Sequence, residues 1–268
     1  MTSAPPIVLT VAGSDPSAGA GLQADLKTIQ QHGAYGAAVP TLITVQDSRA
    51  VEQVELLSVD LVRAQLATLL ADIEPAAAKT GALGSPEVAR LLGSIMNETE
   101  FGWLVDPVWL PSRGTSLSTG DIVEAYKDSV IPQATLVTPN AQEAALLAEM
   151  PVRTLDDAGR AAERIAALGT AAVLIKGGHL QGADRGSDLL LFDGEVRVFA
   201  AVELVPGRFH GTGCALSAAI ASRLAFGVDL PTAVEGAKAW LGGALAHAFA
   251  VGRGAKPVNH LWPLEDKS

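Results

Sequence analysis

The stretch Pro206-Gly207-Arg208-Phe209-His210-Gly211-Thr212-Gly213-Cys214 runs straight into Ala215-Leu216-Ser217-Ala218-Ala219-Ile220-Ala221-Ser222-Arg223-Leu224. The second segment is rich in Ala and Leu, which favour helix. The first brings two glycines and a small hydroxyl residue to the point of entry. A glycine turn that opens a helix leaves backbone N–H groups without intrahelical partners, all pointing the same way. The helix dipole adds partial positive charge there. Such a start binds anions, phosphate above all. Cys214, the only cysteine of the chain, falls in this turn. The dipole and free N–H groups predict a lowered thiol pKa, and with it a candidate base. The plainer alternative is a glycine-rich turn beside a small Cys that merely packs.

Outward from this turn, strands alternate with helices. Ile7–Ala12 is a short apolar run, read as a buried strand. Gly13–Gly21 is a loop, and Leu22–His32 a helix closed by Gly33. Gly36–Thr44 reads as a second strand. Leu61, Val62, Leu66, Leu69, Leu70 and Ile73 recur at helical spacing over Asp60–Asp72. Ala76–Thr80 is a strand, and Ser85-Pro86-Glu87 opens a helix. Gly102–Asp106 is a strand, Ser118–Val130 a helix, Thr135–Thr138 a strand, and Asn140 caps a helix through Leu147. A capping-box pattern at Thr154-Leu155-Asp156-Asp157 opens a helix that stops at Gly169. Ala171–Lys176 is a strand, and Asp193-Gly194 joins Asp188–Phe192 to Glu195–Phe199 as a hairpin. Helices from Gly211 and over Leu230–Ala250 follow, then a polar tail with Trp262 as an anchor. The pattern predicts an α/β fold with a mostly parallel sheet covered on both faces.

Composition bounds the rest. The 268 residues are 49% hydrophobic and 18% charged, enough for one large core without a metal or disulfide staple. A single Cys excludes an intrachain disulfide and fits a reducing cytoplasm. No segment reads as a secretory signal, and no apolar run is long enough to span a bilayer. The net charge of −10 argues against nucleic-acid and membrane-surface partners.

In such sheets ligands bind outside the carboxyl ends of the strands. The polar clusters Gly13-Ser14-Asp15, Gln46-Asp47, Lys79-Thr80-Gly81, Asp106-Pro107, Thr138-Pro139-Asn140 and Lys176-Gly177-Gly178-His179 all fall there. Asn140 and Glu143, three apart at a helix start, suit Mg²⁺ with retained waters; the alternative is a cap and a dipole partner. Asp106 suits the same ion through water, or is a turn residue before Pro107. Lys176 suits a phosphate, or is a solvated loop residue. An anion cradle, a metal-friendly pair, a Lys and a base are the parts of phosphoryl transfer.

The chain resembles the hydroxymethylpyrimidine/phosphomethylpyrimidine kinases of the ribokinase superfamily over nearly its whole length. The carriers, in family order, are Ala12–Thr28, Lys79-Thr80-Gly81-Ala82-Leu83-Gly84, Asp106-Pro107-Val108, Thr138-Pro139-Asn140 with Glu143, Lys176-Gly177-Gly178-His179 and His210–Cys214. The resemblance implies a single domain over 1–268 with a three-layer α/β/α ribokinase-like fold. It implies ATP-dependent phosphorylation of an aminopyrimidine alcohol and then of its monophosphate, with ATP and Mg²⁺, in a cytoplasmic homodimer. By resemblance, Gly13, Asp15, Ala20, Gly21, Asp25 and Gln46 bind the pyrimidine. A Gln amide offers that ring both a donor and an acceptor. Thr138, Asn140, Lys176, His179 and Gly213 face nucleotide phosphates, and Asp106, Asn140 and Glu143 the metal. Gly211, Thr212, Gly213, Cys214 and Lys176 form the catalytic group.

The chain departs from the family pattern at Gln46-Asp47-Ser48, at Trp109–Gly114 and at Arg208-Phe209. Arg113 is the candidate to replace a Lys charge that the family commonly carries in the second of these. Competing readings are a pyridoxal kinase of the same fold, a pyrimidine-binding protein without turnover, and a dinucleotide site at Gly19-x-Gly21-x-x-Ala24.

Overall fold

The computed structural model describes residues 4–109, 114–200 and 205–262, which leaves Arg113 outside the described residues. Most strands form on short runs of apolar and β-branched residues. In chain order they are β1 (Ile7–Ser14), β2 (Tyr35–Gln46), β3 (Val51–Leu56), β4 (Ala77–Thr80), β5 (Gly102–Val105), β6 (Leu136–Val137), β7 (Ala172–Ile175), β8 (Asp188–Phe192) and β9 (Glu195–Phe199). They make one sheet in the order β3-β2-β1-β4-β5-β6-β7-β8-β9. β2, β1, β4, β5, β6 and β7 run parallel in that sheet, while β3, β8 and β9 pair antiparallel at its two edges. A separate two-stranded sheet joins β10 (Phe209–His210) to β11 (Lys256–Pro257).

The helices are α1 (Gly21–Gln31), α2 (Val59–Leu70), α3 (Pro86–Glu98), α4 (Ile122–Ala125), α5 (Ala141–Leu147), α6 (Leu155–Ala166), α7 (Thr212–Ala225) and α8 (Leu230–Ala246). Alternate strand residues point to opposite faces of the sheet. Leu9, Val11, Trp103, Val105, Val137 and Val173 accordingly pack against α2–α6. Val8, Leu104, Leu136 and Leu174 pack against α1, α7 and α8. The result is the expected three-layer α/β/α arrangement. No helix among the described residues is long and apolar enough to cross a membrane.

The connection β1–α1–β2 runs one way along the sheet, and β4 returns to the other side of β1. This is a topological switch point, where the loops after β1 and β4 diverge and leave a crevice. The β1–β2 register shifts between Ala12 and Ser14, at the carboxyl end of β1 beside this crevice.

Three expectations change. β2 extends to Gln46 and turns back as β3, which the sequence reading passed over. The turn is built by Asp47, whose Oδ1 accepts from the N–H groups of Arg49 at 2.7 Å and Ala50 at 3.2 Å. Over Ser118–Val130 only α4 is α-helical; Tyr126–Val130 is a π-turn and Ile131–Gln133 a 3₁₀ turn. Pro132 has no N–H for the carbonyl four residues back, so the α pattern cannot continue through it. α8 stops at Ala246, four residues before the expected end.

The tail docks as Trp262 suggested: its Nε1 donates to Trp240 O at 3.0 Å and its ring stacks on His247. Beside it His260 is buried, its Nε2 has no partner, and burial pushes its pKa down to about 4. The unfolded chain takes up this proton near the ordinary pKa of about 6.5. Stability is therefore full above that value and falls as pH drops toward 4, by up to about 3 kcal/mol. Urea unfolding at pH 7 and pH 4.5 should show this loss, and His260→Leu should reduce it.

Candidate active site

A cavity of about 1040 Å³ opens at the carboxyl ends of the strands. Its floor at one end is the start of α7. Gly211 takes φ +77°, and a Cβ there would overlap the carbonyl oxygen of Gly19. Only glycine fits both constraints. The first helical bond runs from Ala215 N to Gly211 O at 2.9 Å. The N–H groups of Thr212, Gly213 and Cys214 thus lack partners within the helix and face the cavity their residues line. At Gly213 a Cβ would lie 3.2 Å from Lys176 Nζ, so the cradle and the Lys nearly touch.

Charged groups surround this cradle in two layers. In the lower layer Lys79 Nζ donates to both oxygens of Asp25, at 2.9 and 3.0 Å, and Thr10 donates to Asp25 Oδ2 at 2.7 Å. Both side chains are fully buried. Burial alone would lower the Lys79 pKa, but Asp25, Cys214 and Asp106 hold it above its ordinary value. Asp25 is therefore a correction: it lies beneath the cavity wall as the partner of Lys79 and does not reach a substrate.

In the upper layer Lys176 Nζ donates to Asp106 Oδ1 at 2.5 Å and lies 4.0 Å from Glu143 Oε2. Burial works against the Lys176 charge, but Asp106 and Glu143 outweigh it and raise the pKa. Thr138 is also a correction, since it is buried and its hydroxyl donates to Asp106 Oδ1 at 3.3 Å. It positions the acid and does not face the cavity. Asn140 Oδ1 accepts from the N–H groups of Gln142 and Glu143, and Glu143 Oε2 accepts from Asn140 N at 2.7 Å. This reciprocal capping box removes Asn140 as a metal ligand, because its only acceptor atom is already used. Burial pushes the Glu143 pKa up to about 7, with Lys176 opposing and Asp106 reinforcing. His179 is exposed at the cavity rim.

The other wall comes from the loop after β1. Asp15 is almost fully buried and organises it: Oδ1 accepts from Ser17 N at 2.8 Å, Oδ2 from Ala20 N at 2.9 Å. His210 Nε2 stands 2.9 Å from the same Oδ2. Burial alone would raise the Asp15 pKa, but the bonds from His210 and Ser17 bring it below the ordinary value. Gln46 reaches in from the end of β2, its amide 3.0 Å from His210 Nε2. Gly13, Ala20 and Gly21 line the same wall, and a Cβ at Gly21 would overlap Gly13 O.

Two side chains of the site were given no role in the sequence reading. His210 was visible as a neighbour of Gly211, yet only the fold brings it against Asp15. Lys238 donates to Asp188 Oδ2 at 2.6 Å, and Asp188 Oδ1 accepts from Gly177 N at 2.8 Å. This chain ties α8 to the turn that carries Lys176, and nothing local in the sequence announces it.

The model of the family described as phosphomethylpyrimidine kinase matches residues 15–259. A hydroxymethylpyrimidine/phosphomethylpyrimidine kinase of Streptomyces coelicolor is 41% identical over 260 residues, covering 97% of this chain and 96% of the relative. The chain belongs to the phosphomethylpyrimidine kinase family. Among solved structures, an ADP complex of Bacillus subtilis pyridoxal kinase aligns with TM-score 0.88 and 34% identity, over 98% of this chain and all of that one. A phosphomethylpyrimidine kinase of Clostridium difficile aligns with TM-score 0.77 and 35% identity, over 88% of this chain and 97% of that one. The dinucleotide-site reading of Gly19–Ala24 and the reading without turnover give way to a kinase.

Within this kinase the thiol departs from expectation. The helix start does not lower the Cys214 pKa: burial pushes it up to about 12, with Lys79 opposing and Asp25 and Asp106 reinforcing. Loss of hydration and two nearby carboxylates outweigh the dipole. Cys214 should thus stay a thiol throughout the physiological range. Thiolate absorbance at 240 nm should not appear below about pH 10, and iodoacetamide should react far more slowly than with a free thiol. A titration near pH 7 would contradict this assignment.

Proposed function

We propose that this kinase transfers the γ-phosphoryl group of ATP to 4-amino-5-hydroxymethyl-2-methylpyrimidine, and then a second one to the monophosphate, as in thiamine biosynthesis. The observation that carries the reading is one continuous cavity with two unlike ends. The Asp15–His210–Gln46 wall suits a polar heteroaromatic ring, and the cradle at Gly211–Cys214 suits phosphate. The relatives' names supply the acceptor.

In this reading the N–H groups of Thr212, Gly213 and Cys214 meet charge on the transferring phosphoryl group, and Lys176, whose Nζ lies beside Gly213, pairs with the same charge. Preorganised donors of this kind are worth roughly 2.7–4 kcal/mol each in well-studied sites. The acceptor oxygen bonds to the γ-phosphorus as the β–γ bridging bond breaks and ADP leaves. Phosphoryl transfer is loose, so the hydroxyl proton departs late. A Cys214 thiol with so high a pKa is no preformed base. A thiol that stays protonated has no place for that proton, so in this reading the hydroxyl proton passes to an oxygen of the transferred phosphoryl group and on to solvent, while Cys214 contributes its backbone N–H to the cradle.

Among the described residues no group of three acids, His or Cys is arranged to hold a metal by itself. The donor set does fit a nucleotide-borne Mg²⁺ that keeps most of its waters. Asp106 Oδ2 and Glu143 Oε1 are the oxygens available to such an ion. When bound, it would neutralise charge on the β- and γ-phosphates. The chain's own part is to hold Asp106 through Lys176, Thr138 and Ser217, and Glu143 through its cap.

Steady-state ADP release with the hydroxymethylpyrimidine and with pyridoxal tests the reading, with kcat/KM expected to favour the pyrimidine. A preference for pyridoxal would replace the acceptor and leave the kinase. Glu143→Gln should raise the Mg²⁺ concentration needed for half-maximal rate more than it raises the KM for the pyrimidine. Unchanged Mg²⁺ dependence would leave Glu143 as a helix cap alone.

A further inference from the structure

The hydrogen bonds around Gln46 can be satisfied in only one way. His210 Nε2 stands 2.9 Å from Asp15 Oδ2, and a carboxylate held below its ordinary pKa only accepts. Nε2 therefore carries the proton. The side-chain amide of Gln46 lies 3.0 Å from that same Nε2. Its nitrogen cannot face it, because two donors would then meet. At the other end, the Thr44 hydroxyl lies 2.9 Å from Ser14 O and 3.1 Å from the Gln46 amide. A backbone carbonyl only accepts, so the single hydroxyl proton goes to Ser14, and Thr44 Oγ1 must accept from Gln46. One half-turn of the amide, which exchanges its oxygen and nitrogen and leaves every other atom in place, resolves both conflicts. Gln46 Oε1 then accepts from His210, and Gln46 Nε2 donates to Thr44.

We infer that His210 is the positioning residue that sets the orientation of the Gln46 amide, by donating from Nε2 to Asp15 and Gln46 together. The imidazole has no freedom to do otherwise. A Cβ at Gly19 would come within 2.6 Å of His210 Cδ2, so the ring lies close against the Gly19 backbone. Pairing of His210 with Pro257 in the β10–β11 sheet holds its backbone. The network extends over β1, β2 and β10, and every member but the amide has its polarity dictated by an atom that only accepts. Gln46 is thus left with one free lone pair on oxygen and one free N–H. That pair matches a ring edge offering a donor amine beside an acceptor nitrogen. This deepens the aminopyrimidine reading and rests on it for the identity of the acceptor. The orientation itself does not depend on any ligand.

The test has two parts, both on the full chain. Long-range ¹H–¹⁵N correlation spectra of the free enzyme at pH 7.5 report the His210 tautomer, with His210→Gln identifying the signal. A proton on Nε2 is expected; an unprotonated Nε2 overturns the inference whatever the substrate. Steady-state kinetics then compare His210→Leu and His210→Gln with the parent, using the hydroxymethylpyrimidine. Loss of the orienting donor should raise KM about tenfold with kcat within about twofold. Gln, whose Nε2 reaches the same place, should recover most of the loss. Equal KM values for all three proteins, or a fall in kcat with KM unchanged, overturns the positioning role. If the parent fails to turn over the pyrimidine while the tautomer is as expected, the acceptor assignment fails and the orientation of Gln46 stands.

Discussion

The buried pair of Lys79 and Asp25 holds the rest of the site in place. It links three elements at the switch point: Lys79 on β4, Asp25 on α1, and Thr10 of β1 through its hydroxyl. A fully buried ion pair is weak evidence for stability, since desolvation offsets most of the attraction. Its effect is on geometry. Removing either partner strands a charge where no water reaches, at a cost of about 3–5 kcal/mol. The three elements therefore keep one arrangement, and the loops after β1 and β4 part in one way. The α7 start rests directly above, close enough that Lys79 acts on the Cys214 thiol.

A chain with net charge −10 still presents a surface fit for anions. It does so by pairing acids inward. Asp106 and Glu143 face Lys176, Asp188 faces Lys238, and Asp25 faces Lys79. Toward the cavity at that end stand the N–H groups that open α7, with Lys176 beside Gly213 and Arg185 and Lys238 farther along the lining. The Asp188 bridge to Gly177 N extends the scheme to α8, so that a helix outside the phosphate cradle helps fix where Lys176 stands.

The layer order was legible because parallel strands buried on both faces read as unbroken apolar runs, as Ala172–Ile175 does. The glycine turn at Gly211 was legible because its conformation admits almost nothing else. β3 was not, because Glu52, Gln53 and Glu55 make an exposed edge strand look like loop. Capping and ligation draw on the same residue types, which is why Asn140 carried two readings until its oxygen was seen to be occupied. Asp25 was misplaced for a related reason: motif position says that an acid lies near a site, and burial decides whether it faces it. The thiol shows the limit of local reasoning most clearly. A helix start argues for thiolate, and the acids that oppose it, Asp25 and Asp106, come from distant parts of the chain.

The pairing of β10 with β11 has a temporal side. During synthesis the nine strands of the main sheet emerge in order, and each finds partners already made or soon to follow. β10 leads directly into the cradle, yet its strand partner is Lys256–Pro257. The ribosome must therefore deliver all of α7 and α8 before the strand leading into Gly211 is pinned. A nascent kinase stalled short of Pro257 would carry its sheet and most of its core, but not a finished phosphate site. The pairing that leads into the cradle is thus among the last that the emerging chain can make.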